Sequence, residues 1–293
     1  MSDSRTRGGK GVSITVVGSV NLDISATASR LPVAGETVTD AELSRFPGGK
    51  GANQALAARR LGAEVSLLAC VGQDSVADEA LALLKQDGVN LAHCQRCDDA
   101  ATGVALIAVS ADGENQIIVA PGANRRLSYD PASPPAADAV ICQLEVPVDV
   151  LESVARSYEG FFATNLAPAR DVPEALIRRA DLIVVNETEA EFYGDSIHGG
   201  GGYVAITYGA RGATLYRDSK ELASCVPPRV DAVDSTGAGD AFTAALCVAL
   251  AEDMPAERAL SFGCTAGALA ATRAGAQPSL PSRQEVDEMM ERG

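Results

Sequence analysis

The chain has 293 residues, 46% hydrophobic and 22% charged, enough apolar material for a large buried core in one or two domains. Its 39 Asp and Glu against 24 Lys and Arg leave a formal charge of −15, a field that repels a nucleic-acid backbone or an acidic lipid surface and argues against both as partners. No apolar run approaches the roughly 18 residues of a membrane helix and the first eleven residues lack the apolar stretch of a signal peptide, so the expectation is a cytoplasmic protein with residues 1–11 as a flexible tail.

In chain order, apolar runs fall at residues 13–20, 65–71, 104–109, 139–144, 182–185 and 203–207, each closing on a polar or glycine-rich segment. Alanine-rich stretches with helical spacing cover 52–61, 77–86, 148–157, 238–251, 256–272 and 284–292. Continuous β-rich runs alternating with amphipathic helices predict an α/β fold, a mostly parallel sheet with helices on both faces, over residues 12–292 as a single domain. Two segments break the alternation. Residues 104–119 are two alternating runs around Asp112-Gly113, a hairpin signal. Residues 22–46 are too long for an ordinary strand-to-helix connection. These insertions, about 22–47 and 98–120, are expected to form one small β-sheet lying over the main domain as a lid.

The seven cysteines sit mostly in apolar stretches, which reads as buried thiols in a reducing compartment. Cys94 and Cys97 make one CxxC beside His93, but a structural zinc site needs a second ligand pair. They are read as two loop thiols ahead of a strand.

Ligands of an open parallel sheet gather beyond the carboxyl ends of its strands. The sharpest segment there is Asp234-Ser235-Thr236-Gly237-Ala238-Gly239-Asp240, running into an apolar helix. Glycines at a helix start let backbone N–H groups reach an anion. An aspartate beside that anion can accept the proton of an attacking hydroxyl. A helix start with an acid in its first turn accounts for the same residues. The second segment runs Gly48-Gly49-Lys50-Gly51-Ala52-Asn53-Gln54 into a helix; it fails the P-loop spacing, but Lys50 and Asn53 can reach one side of a small polar ligand. The third is Asn186 and Glu189 at a strand end, a place for Mg²⁺ bridged to phosphate or simply a capping pattern. The fourth is the turn Thr207, Tyr208, Gly209, Ala210, Arg211 and Gly212, a place for a nucleotide.

Taken in this order, the set resembles the ribokinase (phosphofructokinase-B type) family of carbohydrate kinases. The carrying segments are GSVNLD (18–23), PGGKGANQALAARRLGA (47–63), TGVALI (102–107), QLEVP (143–147), NLAPAR (165–170), NETEAE (186–191), TYGARG (207–212), DSTGAGDAF (234–242) and TRAGAQPSLP (272–281). The resemblance implies ATP-dependent phosphorylation of D-ribose at its primary hydroxyl, with Mg²⁺, a K⁺ activator and a homodimer paired through the lid sheet. It assigns Asn21, Asp23, Gly49, Lys50, Asn53 and Glu145 to the sugar hydroxyls, with Asp240 as general base. Gly237, Ala238 and Gly239 become the anion hole for the transferred phosphoryl group. Asn186, the 207–212 turn and Cys264, which stands where relatives place Asn or His against adenine, fall in the nucleotide site. Glu189 would place Mg²⁺ through water, and Asp234, Thr236, Ala270, Arg273, Gly275 and Ser279 would form the K⁺ loop. Helix N-termini, Mg²⁺ and Arg211 are expected to offset the acidic global field. Residues 192–202 are shorter than the family's usual crossover, which alters one wall of the nucleotide site. The rival readings are a kinase for 2-deoxyribose, fructose or a nucleoside, and a non-catalytic sugar- or nucleotide-binding regulator on the same fold.

Overall fold

The computed structural model describes residues 11–292, and the first ten residues of the expected tail lie outside them. The chain opens with β1 (Ser13–Val17), β2 (Asn21–Ala28), β3 (Glu42–Gly48), helix α1 (Lys50–Arg60) and β4 (Glu64–Gly72). Two short helices, α2 (Ser75–Ala80) and α3 (Ala82–Gln86), lead to β5 (Cys94–Cys97) and the hairpin of β6 (Gly103–Ser110) and β7 (Asn115–Ala120). Next come β8 (Ala139–Gln143), α4 (Val148–Ser157), β9 (Phe161–Asn165), α5 (Glu174–Arg179), β10 (Leu182–Asn186) and α6 (Glu187–Tyr193). Strands β11 (Tyr203–Thr207), β12 (Ala213–Arg217) and β13 (Lys220–Cys225) follow, and the chain ends in α7 (Ala238–Ala251), α8 (Ala256–Ala270), α9 (Ala276–Ser279) and α10 (Arg283–Arg292).

Among the described residues, nine strands form one sheet in the order β13-β12-β11-β10-β9-β8-β1-β4-β5, all running one way except β12, which is antiparallel to both β11 and β13. Its central strands are apolar on both faces, as a sheet covered on both sides requires. Ile14 and Val16 of β1, with Leu182 and Val184 of β10, face the core shared with α1, α7 and α8. Their neighbours Val17, Ile183 and Val185 face the other core, shared with α4 and α5. The two-residue period of a strand divides the hydrophobic load between the layers. Strand β1 lies between β8 and β4, so the chain winds away from it in both directions and opens a crevice at its carboxyl end.

The second sheet has the order β3-β2-β6-β7. It unites the two segments that interrupted the alternation, with β2 and β6 running parallel at its centre. The apolar run 13–20 supplies only β1 and the turn after it: β1 ends at Val17, and residues 18–20 lead the chain into β2 of the other sheet. The helix expected at 77–86 is two short helices sharing Leu81 at their junction. The CxxC thiols lie not in a loop but in β5 itself, an edge strand paired with β4. Strands β9, β12 and β13 were not among the predicted elements.

Candidate active site

The crevice is built by two helix starts and the ends of β1, β8, β9 and β10. Helix α1 begins after Gly49, whose φ of 88° is in the left-handed region. A Cβ there would lie 2.7 Å from the backbone nitrogen of Asn21, so only glycine lets the helix start against the β1–β2 turn. Ala52 N–H then donates to Ser19 O at 2.8 Å, which locks that contact. Helix α7 begins after Gly237, also left-handed at φ 80°, and no side chain caps it. A Cβ on Gly239 would meet nothing within 4 Å. This is an open, uncapped N-terminus of the kind that receives anions.

Asp240, 6% exposed, sits in the first turn of α7, and its carboxylate is taken up by another helix. Asn53 Nδ2 donates to Oδ2 at 2.9 Å and Gln54 Nε2 to Oδ1 at 2.8 Å, both from α1. Glu145, just past β8, accepts from Ser19 Oγ at 2.5 Å and from the Lys50 backbone N–H at 3.1 Å. The Asn21 amide is oriented by Asn124, whose Nδ2 donates to Asn21 Oδ1 at 2.7 Å. Asn53 Oδ1 is buried with no hydrogen-bond partner, an acceptor held ready for a donor from a ligand.

The electrostatics tie these groups together. Burial pushes the Asp23 carboxyl up to about 7, and the nearby Glu145 and Asp240 push it further in the same direction. Burial pulls the Lys50 ammonium down, but Asp240, Glu145 and Glu189 outweigh that and leave it above its ordinary value. Burial raises the Glu189 carboxyl against the opposing pull of Asn186 N–H and Lys50. A lysine among buried carboxylates, beside an open helix start, suits a polyhydroxylated ligand next to a phosphate.

The predicted sugar and base residues Asp23, Lys50, Asn53, Glu145 and Asp240 therefore fall in one electrostatic cluster, with Asn21 and Gly49 at its wall. Asn186 and Glu189 form a reciprocal capping box at the start of α6: Asn186 Oδ1 accepts from Glu189 N, and Asn186 N donates to Glu189 Oε2, each at 2.8 Å. The capping pattern is real, and through Lys50 and Asp240 Glu189 also faces the cluster. Arg211 is turned to the surface, paired with Glu187 and stacked over Tyr208 at 5.4 Å. Asp74, just past the end of β4, is spent structurally: it caps α2 and accepts from Thr102 N and Oγ1 just before β6. Cys264 is buried on α8, its thiol 3.9 Å from Cys225 O.

Asp234 Oδ1 accepts from Thr236 N and Oγ1, and Oδ2 from Gly275 N at 2.8 Å. Burial pushes the Asp234 carboxyl up, but these donors hold it below its ordinary value. The loop after residue 233 is thus stitched to the segment after α8, which brings Asp234, Thr236 and Gly275 together. The Arg273 side chain pairs outward with Glu285. Sequence reasoning missed Ser19, Gln54, Asn124, Gln143 and Asn165. Of these only Asn124 stood outside the segments that carry the family resemblance; the other four lay inside them, and no role was given to them there.

Residues 12–283 match the pfkB family of carbohydrate kinases. The chain is 34% identical to the ribokinase of Haemophilus influenzae over 308 residues, covering 95% of this chain and 98% of that protein. It is 36% identical to the ribokinase of Bacillus subtilis over 296 residues, with 94% and 99% covered. The structure of Arabidopsis thaliana ribokinase complexed with ribose and ATP is similar with a TM-score of 0.85 at 28% identity, covering 96% of this chain and 99% of that one. Likeness of this extent in sequence and in fold places the chain in the pfkB family of carbohydrate kinases.

Proposed function

We propose that the protein transfers the γ-phosphoryl group of ATP to the primary hydroxyl of D-ribose, giving ADP and ribose 5-phosphate. The observation that carries this reading is Asp240, a buried carboxylate held by two amides at the uncapped N-terminus of α7. Such a group accepts the hydroxyl proton while the N–H groups of residues 237–239 receive charge on the phosphoryl oxygens. Asn21, Asp23, Lys50, Asn53 and Glu145 bind the remaining hydroxyls and fix the attacking oxygen in line. Phosphoryl transfer needs little else than this positioning and charge stabilisation. The relatives named ribokinase, one solved with ribose and ATP, support the choice of sugar and donor.

Among the described residues no group of three or more His, Cys, Asp or Glu side chains is arranged to hold a metal ion. That fits Mg²⁺ carried mainly by the nucleotide phosphates and its own waters, with Glu189, whose buried charge a cation relieves, reaching it through water. When bound, Mg²⁺ would neutralise charge on the β- and γ-phosphates. The oxygen-rich loop at Asp234, Thr236 and Gly275, with the carbonyls of Ala270 and Arg273 and the Ser279 hydroxyl, fits K⁺, which would stiffen the approach to α7. Asn186 and the 207–212 turn are the proposed nucleotide wall. The small sheet is the proposed lid and dimer surface, for which its exposed Leu43, Leu106, Ile117, Ile118 and Val119 speak.

The deciding experiment is an ADP-release assay with ATP and Mg²⁺ on ribose, 2-deoxyribose, fructose and adenosine, with and without K⁺. Ribose-dependent turnover is expected, and Asp240→Asn should lower kcat by at least about 100-fold while ribose still binds. Turnover confined to another acceptor would move the specificity and keep the base. Undiminished turnover in Asp240→Asn would overturn the assigned chemistry.

A further inference from the structure

Gln54 carries no assigned role, yet it makes one of the two hydrogen bonds that hold the Asp240 carboxylate. Its side chain is 0% exposed, so it cannot touch a sugar or a nucleotide. Every polar atom of its amide is nonetheless engaged. Nε2 donates to Asp240 Oδ1 at 2.8 Å and to Asn165 Oδ1 at 3.2 Å, and Oε1 accepts from Gln143 Nε2 at 2.6 Å.

The orientation of this amide follows from the backbone of the sheet. Val184 O, on β10, is a carbonyl and can only accept. Asn165 Nδ2 donates to it at 3.0 Å, so Asn165 must present its oxygen on the other side. That oxygen accepts, so the group facing it from Gln54 must be the nitrogen. The Gln54 nitrogen therefore also faces Asp240, and its oxygen is left for the Gln143 donor. The polarity runs without a break from a β10 carbonyl through β9 and α1 to the carboxylate on α7. Each bond fixes the sense of the next.

We infer that Gln54 is a positioning residue for phosphoryl transfer: it fixes the angle at which the Asp240 carboxylate faces the attacking hydroxyl. This rests on Asp240 being the base. A carboxylate held at both oxygens by two amides of one helix cannot swing toward Lys50. Gln143 and Asn165 act one step further out, by keeping the Gln54 amide from turning its oxygen toward Asp240, which would set two acceptors against each other.

The test is steady-state kinetics of Gln54→Met, which keeps the length and deletes both amide functions, with ribose and ATP. The expected result is a kcat lowered about tenfold to a hundredfold, with KM values for both substrates within about threefold of the native enzyme. A folded Gln54→Met with native kcat overturns the inference. So does a loss of activity carried by KM with kcat near native, which marks a packing role only. Should Gln54→Met fail to fold, Gln143→Met releases the Gln54 oxygen instead. It should lower kcat by less, again with KM near native, and an unchanged kcat there overturns the inference as well. Asp240→Asn, measured alongside, separates the two readings: if it retains turnover the base assignment itself is wrong, and if only it loses turnover the fault lies with Gln54.

Discussion

Asp23 shows what it costs to bury a carboxylate in this site. Its carboxyl titrates near 7 in the folded protein because burial, Glu145 and Asp240 all oppose its charge. Unfolded, it would titrate near 3.8. Between those values the unfolded chain holds the ionised form and the folded one the neutral form, so this group costs stability progressively as pH rises from about 4 to 7. Asp23→Asn removes the cost: its melting temperature at pH 8 should exceed the native value by on the order of 2–4 °C, and the gap should close below pH 5. The same ionisation is what a sugar hydroxyl wants as an acceptor, so native ribose affinity should rise between pH 6 and 8. Calorimetric titration showing a flat affinity across that range would refute the role given to Asp23. Asp240, Lys50 and Asn53 could be read from sequence because an acid, a base and an amide in glycine-rich helix starts are conspicuous. Gln54 could not. Its partners Gln143 and Asn165 stand 89 and 111 residues away in sequence, and an amide's role depends on which end meets which partner.

At the scale of elements, the site depends on two helix starts that glycine makes possible. Gly49 is the stricter case, with backbone Asn21 N and Ser19 O where a Cβ would go, at 2.7 and 3.0 Å. Gly49→Ala should cost about 1–2 kcal/mol from the left-handed backbone alone, and more from the displacement of α1. Because α1 carries Lys50 and Asn53, the KM for ribose should rise at least about tenfold, while the KM for ATP stays near native. Equal changes in both would mean that the helix does not serve the sugar side in particular. The parallel strands were legible because they are short apolar runs, and the β6–β7 hairpin because Asp112-Gly113 is a turn signal. The β12–β13 hairpin escaped for a physical reason: its turn places Asp218 and Ser219, not glycines, at positive φ of 51° and 60°, so the usual marker is missing. Strand β9 follows Gly160 with two phenylalanines and ends in the polar Thr164 and Asn165, too brief an apolar run to stand out. The α2–α3 break leaves the helical spacing of 77–86 almost intact, so periodicity alone could not show it.

The whole molecule poses a problem of charge and of an open edge. At −15 it repels nucleotide and copies of itself alike, and the local donors of the crevice answer the first repulsion. The second bears on the small sheet. All six residues of its edge strand β7 are exposed, among them Ile117, Ile118 and Val119, with Leu106 beside Ile118 in the ladder. An apolar sheet edge is a liability that natural proteins cover, and a second copy of the same sheet would cover it with complementary chemistry, since a twofold contact sets like patches against each other. The apolar gain must exceed the repulsion between two acidic bodies, so association should strengthen as salt screens the charge. Sedimentation velocity should therefore report a dimer whose dissociation constant falls between 50 and 500 mM NaCl. Ile118→Glu, which sets a charge into the patch, should yield a monomer with an unchanged melting transition of the main domain. Because β2 of the same sheet carries Asn21 and Asp23, loss of the partner should loosen that wall and raise the KM for ribose more than it lowers kcat. A monomeric native protein at every salt concentration would leave the exposed edge to some other partner and remove dimerisation from the account of the site.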